Sequence, residues 1–398
     1  MNLKSHQLIN NFLELNSEAN MQALVDYARE FDLTDDEIVL LAKGLAYSGS
    51  TCSFKNEKLF DIPSTGGPAS LSTLLCPLFL KVLGNKVLKL GVPGRPAGGI
   101  DVLNQINGYN VNPNNHQIEK WLYKNNYVHF LANSNFTPAD ARLFSFRKNN
   151  NALDIQALVI SSLLSKKIAV GLTHVGLDIR VSNFGNFGKT WDEARQNGLR
   201  FNRIASILDI ESKCFLTNGD IPQQPYIGRG ESILALNRIF TKSTDNYLLE
   251  HLEQCFIMAN SISAYKSNNG YSIDDVREAF YDNVKTQEGL ISSFEEIAQN
   301  VDSRHKYNIY ANEDGILSIN LEVLRKSILN THSKSAENFP DNCGIILKVK
   351  SNAYVRSGEI ICTFRCEDKY KEAFENDLNH VFAMSSNKVD INNFEEII

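Results

Sequence analysis

Two glycine-rich segments follow consecutive apolar segments and could together bind an anion. The first reads STGGP from Ser64 to Pro68 and precedes a helical run from Leu71 to Leu83. Its glycines let backbone N–H groups converge, its hydroxyls add donors, and a helix N-terminus attracts negative charge. The second, Gly91 to Gly99, follows a predicted strand at Lys86 to Leu90 and carries Arg95. An ordinary strand-to-helix turn is the alternative for such a sequence.

The two loops are expected to lie side by side. Because consecutive parallel strands end at the same edge of a sheet, both loops fall where ligands of open α/β sheets bind. Neither loop has the GK[ST] sequence of a Walker loop or the GxGxxG pattern of a dinucleotide site. A phosphate or pyrophosphate group would fit there. The predicted anion ligands are Ser64, Thr65, Gly66, Gly67, Ser72, Thr73, Lys89 and Arg95.

A second group of polar residues is carried by a helix that is otherwise almost entirely apolar. This helix is predicted from about Ala152 to Ala169, and its Ser162 and Lys166 are spaced i, i+4, which puts them on one face. The preceding helix, opened by Pro138, carries Arg147 near its end. Together the three side chains could offer a cleft an ammonium, a hydroxyl and a guanidinium. Alternatively, the lysine only extends from a core helix to the surface.

Length and composition limit the class of protein. A chain of 398 residues suggests two or three domains. Its 43% hydrophobic and 22% charged residues are typical of soluble globular proteins, and no apolar stretch is long enough to cross a bilayer. The net charge of −6 argues against nucleic acid as the main partner. With no signal peptide pattern and seven scattered cysteines, the chain reads as a cytoplasmic protein with reduced thiols and no membrane partner.

The rest of the chain predicts alternating helices and strands. Residues 1 to 50 look helical, with Thr34 and Glu37 as a capping box. The tail from Tyr310 has the short alternating segments of a β-rich appendage. Between these parts, strands are expected at Tyr127 to Leu131, at Leu172 to Val181 and around Ile207, Phe215 and Leu216, and helices at Trp191 to Leu199 and Ile233 to Ala264.

Six segments together resemble the thymidine and pyrimidine-nucleoside phosphorylases, and the resemblance covers almost all of the chain. They are DxxSTGG (61–67), GG before Asp101-Val102-Leu103, PADARLFSFR (138–147), SSLLSKKIAVGL (161–172), LDIRV with FGKTWDEAR (177–195) and QPYIGRGESILAL (224–236). The resemblance implies an α/β fold, in which a helical domain is hinged to a larger α/β domain with a mostly parallel sheet, followed by a small β-rich C-terminal part. The corresponding bounds are 1–54 and 137–170, then 55–136 and 171–330, then 331–398. A homodimer formed through the helical domain is also implied.

The resemblance further implies that Arg147, Ser162 and Lys166 hold a pyrimidine, with Arg147 and Lys166 as the catalytic cations. Negative charge grows on the base as the glycosidic bond breaks, so cations there stabilise the transition state more than the ground state. The implied enzyme is a pentosyltransferase that cleaves or forms the glycosidic bond of a pyrimidine nucleoside or nucleotide. Phosphate is the expected co-substrate, and no metal or organic cofactor is expected.

The anion side departs from the family. Thymidine phosphorylases carry DKHSTGG, which supplies a phosphate-binding lysine and an adjacent histidine, whereas this chain has Ile62 and Pro63 there. Losing such a charge-assisted hydrogen bond costs roughly 1.5 to 3 kcal/mol. Lys89 or Arg95 could replace the missing charge, and the attacking anion could differ from phosphate.

Two alternatives stay open at this point. Three features also resemble those of anthranilate phosphoribosyltransferases, namely the first loop, Ser72-Thr73 and Lys89-Leu90-Gly91. A phosphoribosyltransferase that uses a pyrophosphate-bearing sugar is therefore the first alternative. The second is a catalytically silent protein that binds a pyrimidine nucleoside or nucleotide.

Overall fold

The computed structural model describes residues 3–132, 135–334, 342–386 and 393–397. Parts of the predicted C-terminal domain, namely 335–341, 387–392 and 398, lie outside the described residues, as do 1–2 and 133–134. Within the described chain, no helix is both long enough and apolar enough to span a membrane.

The N-terminal helices form one layer with two later helices. The layer contains α1 (Leu3–Glu14), α2 (Glu18–Phe31), α3 (Asp35–Ala46), α7 (Pro138–Asn149) and α8 (Gln156–Ala169). The predicted capping box is confirmed at the start of α3, where the Thr34 hydroxyl accepts from the Glu37 amide and the Glu37 carboxylate accepts from the Thr34 amide. The helical segments predicted on either side of the first three strands therefore pack together.

The main sheet has six strands in the order β13-β5-β4-β1-β2-β3. Five run parallel and β13 pairs antiparallel with β5, so the predicted α/β class with a mostly parallel sheet is confirmed. The strands are β1 (Leu59–Asp61), β2 (Lys86–Gly91), β3 (Tyr127–Leu131), β4 (His174–Val181), β5 (Glu211–Asn218) and β13 (Phe394–Ile397).

Each face of this sheet has its own apolar core. On one face, Leu177 and Ile179 of β4 join a core with the helical layer, α6 (Asn115–Asn125) and α9 (Trp191–Ile207). On the other face, Phe60 and Val87 pack in a second core with the remaining large helices. These helices are α4 (Ser72–Val82), α10 (Arg229–Phe240), α11 (Asn246–Ile262), α12 (Ile273–Thr286) and α13 (Ile291–Ser303), with the short α5 (Ile100–Leu103) beside them. Because side chains alternate along a strand, the residues between the apolar ones in β4 face the second core.

The C-terminal part is β-rich, as predicted, and has a third core. One sheet joins β6 (Tyr226–Ile227), β9 (Gly344–Leu347), β11 (Ile360–Arg365) and β7 (Tyr307–Tyr310). Another joins β10 (Tyr354–Val355), β8 (Gly315–Ile319) and β12 (Phe382–Ser385), and α14 (Leu321–Ser333) and α15 (Lys371–Asn379) pack with them. The boundary predicted at 331 falls inside α14, because Leu324 and Ile328 belong to the same core as the strands on either side.

Several predicted element bounds differ from the structure. The strand predicted from Leu172 begins at His174, and the helix predicted to end at Leu199 continues to Ile207, so that Ile207 ends α9 instead of lying in a strand. The helix predicted from Ile233 to Ala264 is two helices, since Asp245 caps a new start at α11. The helix predicted from Ala152 begins only at Gln156, because the segment before it is held to Arg147 by its backbone carbonyls.

Candidate active site

The first glycine-rich loop leaves β1 and borders open space. Gly66 and Gly67 have φ angles of 144° and 99°, and a Cβ built on either would meet no atom within 4 Å. Thr65 anchors the loop to β4: its amide donates to the Asp178 carbonyl at 3.0 Å, and its hydroxyl accepts from the Arg180 amide at 2.9 Å. Ser64 stabilises the turn through its hydroxyl, which accepts from the Gly66 amide at 3.3 Å. The loop therefore has a defined shape beside space that a ligand can occupy.

The second glycine-rich loop meets the first turn of α4. Gly98 and Gly99 have φ angles of 78° and 64°, and a Cβ on Gly98 would lie 3.1 Å from the Thr73 hydroxyl oxygen. The Asp101 carboxylate accepts from the Gly94 amide at 2.9 Å and the Arg95 amide at 3.0 Å, which fixes the loop. The two loops thus lie side by side, with Thr73 between them.

The start of α4 is already satisfied by protein side chains. The Leu71 amide donates to His251 Nε2 at 2.9 Å, and the Ser72 amide donates to the Ser70 hydroxyl at 3.1 Å. Burial lowers the pKa of His251 to about 3, so this imidazole is neutral and its Nε2 can accept. The amides of Leu71 and Ser72 are therefore not free to bind an anion, and the loop must supply the amides that do.

A buried polar network lies beneath the first loop. The Asp178 carboxylate accepts from the Ser72 hydroxyl at 2.7 Å, the Thr217 hydroxyl at 2.7 Å and Arg180 Nη2 at 2.6 Å. Arg180 Nη2 also contacts the Ser70 hydroxyl. Ser72, a predicted anion ligand, is thus held in this network and is 1% exposed. Arg180 is 5% exposed, and its Nε is buried with no hydrogen-bond partner among the described residues.

Arg95 is the cation in the second loop. Its side chain is half-buried, and its guanidinium makes no hydrogen bond or ion pair with any described residue. Burial lowers the pKa of Arg95, the nearby Asp101 carboxylate partly offsets that effect, and the charges of Arg325 and Arg180 lower the pKa further. An unpaired guanidinium beside two other arginines is a favourable place for an anion.

Lys89 is paired within the protein. Its ammonium donates to Asp61 Oδ1 at 2.7 Å and to the Ile62 carbonyl at 2.9 Å, and Lys167 donates to Asp61 Oδ2 at 2.6 Å. Burial alone would raise the pKa of Asp61, but the charges of Lys167 and Lys89 outweigh it and lower that pKa. The Ile62 side chain lies against Gly176 of β4, facing the second core. Hence Lys89 is engaged below the loop, and the residue at position 62 points away from it.

Two of the three predicted base ligands lie together. Lys166 Nζ donates to the Ser162 hydroxyl at 3.0 Å and the Ser162 carbonyl at 2.9 Å, and it forms an ion pair with Asp140 of α7. The third, Arg147, donates to the carbonyls of the segment before α8 and of its first turn, namely Ala152 at 2.9 Å, Leu153 at 3.2 Å and Leu158 at 3.1 Å. Burial lowers the pKa of Arg147 to about 10, partly offset by Asp140 and Asp154. Arg147 therefore remains charged at neutral pH.

The predicted base ligands adjoin the anion loop through α8. Lys167, whose ammonium is paired with Asp61, follows Lys166 directly in the chain. Asp61 is the last residue of β1, three residues before Ser64, where the loop begins. The buried Lys167–Asp61 pair therefore fixes this end of α8 against the start of the loop.

Comparison with known proteins gives relatives that match most of the chain. A pyrimidine-nucleoside phosphorylase from Staphylococcus epidermidis is 25% identical over 367 residues, which cover 85% of this chain and 82% of the relative. One from Staphylococcus haemolyticus is 24% identical over 349 residues, covering 83% and 80%. Over most of its length, this chain is therefore similar to pyrimidine-nucleoside phosphorylases. No family model matches it.

Solved structures of low sequence identity also resemble this chain. An anthranilate phosphoribosyltransferase from Saccharomyces cerevisiae, in complex with PRPP and Mg, has a TM-score of 0.48 at 13% identity and covers 74% of this chain and 91% of that one. The enzyme from Thermus thermophilus has a TM-score of 0.45 at 13% identity, covering 75% and 99%.

The sequence did not mark the side chains that hold some of the predicted residues, because they come from distant parts of the chain. Asp140, which pairs with Lys166, and His251, which accepts from Leu71, had no local pattern to mark them. The LDIRV segment carried the one available signal, since Asp178 and Arg180 are charged residues in an otherwise apolar strand. Their side chains share one face of β4, the face turned toward α4.

Proposed function

We propose that this protein is a pentosyltransferase that exchanges a pyrimidine base and phosphate at C1′ of a pentose. The observation that supports this most is the position of Lys166. Its ammonium is hydrogen-bonded to Ser162 on α8, and the next residue, Lys167, pairs with Asp61 at the start of the anion loop. A base on one side and an anion on the other would thus meet across a short distance, as transfer between them requires.

The base half would stabilise negative charge on the departing pyrimidine. Lys166 would donate to a carbonyl oxygen of the base and Ser162 would pair with its N3 edge. An arginine has five N–H donors, so Arg147 keeps donors beyond those bound to its three backbone carbonyls. When the C1′–N bond breaks, its electron pair moves to the base, and these cations bind the resulting anion more strongly than the neutral ring.

The anion half would hold the attacking phosphate. In this proposal the Gly67 amide, the Thr73 hydroxyl and the Arg95 guanidinium would bind phosphate in the open space beside the first loop. A phosphate oxygen bound there would form a bond to C1′ while the bond to the base breaks, giving a pentose 1-phosphate. The released base then takes up a proton. Lys89 has no direct contact with phosphate in this proposal, because Asp61 already holds its ammonium.

The release of free base tests this proposal. Pyrimidine nucleosides and their 5′-phosphates would be incubated with the protein, with and without phosphate or pyrophosphate, and free base would be followed by chromatography. Base release that depends on phosphate is expected. Consumption of base with phosphoribosyl pyrophosphate would favour the phosphoribosyltransferase, and tight binding without turnover would favour the silent binding protein.

A matched pair of lysine variants assigns the activity to this site. Lys166→Met should lower kcat/KM by roughly 30-fold or more, equivalent to about 2 kcal/mol of transition-state stabilisation. Lys148→Met is the control, because Lys148 lies exposed on α7 with no ion pair to a described residue. Equal activity in the two variants would contradict the role of Lys166.

A further inference from the structure

We infer that Arg180 supplies the positive charge that the first loop lacks, and that it binds the anion together with Arg95. The inference rests on the proposed function and adds a residue to its anion site. Arg180 lies at the end of β4, and its amide donates to the Thr65 hydroxyl. Its guanidinium contacts Ser70, just before α4, so it lies between the first loop and the start of that helix.

Among the described residues, the partners of the Arg180 guanidinium all bind a single nitrogen. The side-chain hydrogen bonds of Arg180 to described residues, namely Asp178, Ser70 and Ser72, are all made by Nη2. Nε is buried without a partner, and Nη1 makes no hydrogen bond to any described residue. A buried donor that lacks an acceptor is costly, so such groups in native proteins call for a ligand. Nε can donate one hydrogen bond to an oxygen of a phosphate or carboxylate, and Nη1, which lies beside Cδ, can donate to a second acceptor.

The other groups near the loop explain why this charge comes from β4. Ile62 is turned into the core against Gly176, and Lys89 is held by Asp61, so neither can supply a cation to the loop. Asp178 and its hydroxyl partners hold Arg180 in a fixed position. A guanidinium that is held through Nη2, and whose Nε has no acceptor among the described residues, is preorganised to donate to an anion.

The ligand class follows from the two guanidiniums. The loop that carries Arg95 reaches Ser70, since a Cβ on Gly98 would lie 3.0 Å from the Ser70 carbonyl oxygen, and Arg180 donates to the Ser70 hydroxyl. The two positive charges therefore lie on segments that meet at the start of α4, and the charge of Arg180 lowers the pKa of Arg95. An anion between them relieves this repulsion, and a tetrahedral oxyanion with two negative charges relieves it more than a monoanion. Inorganic phosphate, or the phosphate group of a larger substrate, has this chemistry.

Calorimetric titration with inorganic phosphate alone, at constant ionic strength, tests the inference. The wild-type protein should bind phosphate, and Arg180→Lys should weaken that binding by about tenfold, since one compact ammonium cannot occupy the positions of both Nη2, which holds Asp178, and Nε, which would hold the anion. The double variant R180Q/D178N removes both members of the buried ion pair. It should bind phosphate at least as weakly as R180K does. Arg142→Gln, on the exposed side of α7, should bind like wild type. Thermal unfolding checks that each variant is folded.

Several outcomes would overturn the inference. One is that the wild-type protein does not bind phosphate. Another is that folded R180K or R180Q/D178N binds phosphate with wild-type affinity, which would make Arg180 a purely structural residue. In turnover, R180K should raise the KM for phosphate and leave the KM for the nucleoside unchanged. Phosphate binding that depends on Arg180 without any base release would refute the proposed function and leave this inference intact. Phosphate-dependent base release with an unchanged phosphate KM in R180K would refute this inference and leave the proposed function intact.

Discussion

At the scale of single residues, what matters about each cation is how much of its charge the protein already neutralises. Lys89 is fully buried and bound to Asp61, and Lys166 is bound to Asp140. Arg95, in contrast, is half-buried, and its guanidinium has no hydrogen bond or ion pair with a described residue. A desolvated charge without a partner lowers stability, and proteins tolerate this where a ligand uses the charge.

Arg95→Gln should therefore separate stability from binding. Without ligand, the variant should unfold at the same temperature as the wild-type protein or higher, because an uncompensated desolvated cation is gone. Added phosphate should stabilise the wild-type protein and raise the melting temperature of the variant much less. Arg142→Gln serves as the control. Loss of stability in ligand-free Arg95→Gln would show that the guanidinium is structural.

His251 should make stability depend on pH below neutrality. Its ordinary pKa is near 6.5, and burial lowers the folded-state pKa to about 3, with Arg180 lowering it and Asp178 raising it. Below pH 6.5 the unfolded chain binds a proton that the folded protein does not, so this contribution to stability is complete above pH 6.5 and is lost as the pH falls toward 3. The loss is about 1.4 kcal/mol per pH unit for one such proton.

His251→Gln tests this sign, because a glutamine oxygen can accept from the Leu71 amide without titrating. Between pH 7 and pH 5, the melting temperature of the wild-type protein should fall more than that of the variant. Other buried histidines with lowered pKa values, such as His129 and His332, are present in both proteins and cancel in the difference. Equal falls would mean that His251 is protonated in the folded state.

At the scale of elements, β1, β2 and α8 are joined by two lysines that share one carboxylate. Asp61, Lys89 and Lys167 are each at most 4% exposed, and together they carry one net positive charge. This cluster is where the element that carries the predicted base ligands meets the strand that leads into the anion loop. A small shift here would change the distance between base and anion.

The charge count predicts an order of stability for two variants. Asp61→Asn leaves two buried lysines without a counterion and should cost about 3 to 5 kcal/mol. Lys167→Met leaves the neutral Asp61–Lys89 pair and should cost clearly less. Urea unfolding followed by fluorescence would measure both midpoints. A lower midpoint for Lys167→Met than for Asp61→Asn would contradict the assignment of Asp61 as the shared counterion.

At the scale of the whole molecule, most of the predictions that rested on local pattern agree with the structure, although some helix bounds do not. Ser162 and Lys166 are one helical turn apart, so their contact followed from spacing alone. The alternation of strands and helices likewise gave the parallel sheet. In contrast, Leu71 and His251 are 180 positions apart, and no periodicity links them. The domain boundary predicted at 331 falls inside α14, because no local pattern shows that this helix packs with both C-terminal sheets; only the folded core does. The homodimer and the hinge between domains stay predictions.

In the proposed reaction, an anionic oxygen attacks C1′ as the pyrimidine leaves. Isotope labelling of that oxygen tests this step. The protein would be incubated with the nucleoside that releases base fastest and with phosphate carrying ¹⁸O at all four oxygens, and the sugar product would be examined by mass spectrometry. We expect a pentose 1-phosphate that retains all four labelled oxygens, with one molecule formed for each base released. Unlabelled free pentose, or no sugar product with any pyrimidine nucleoside or nucleotide, would contradict it.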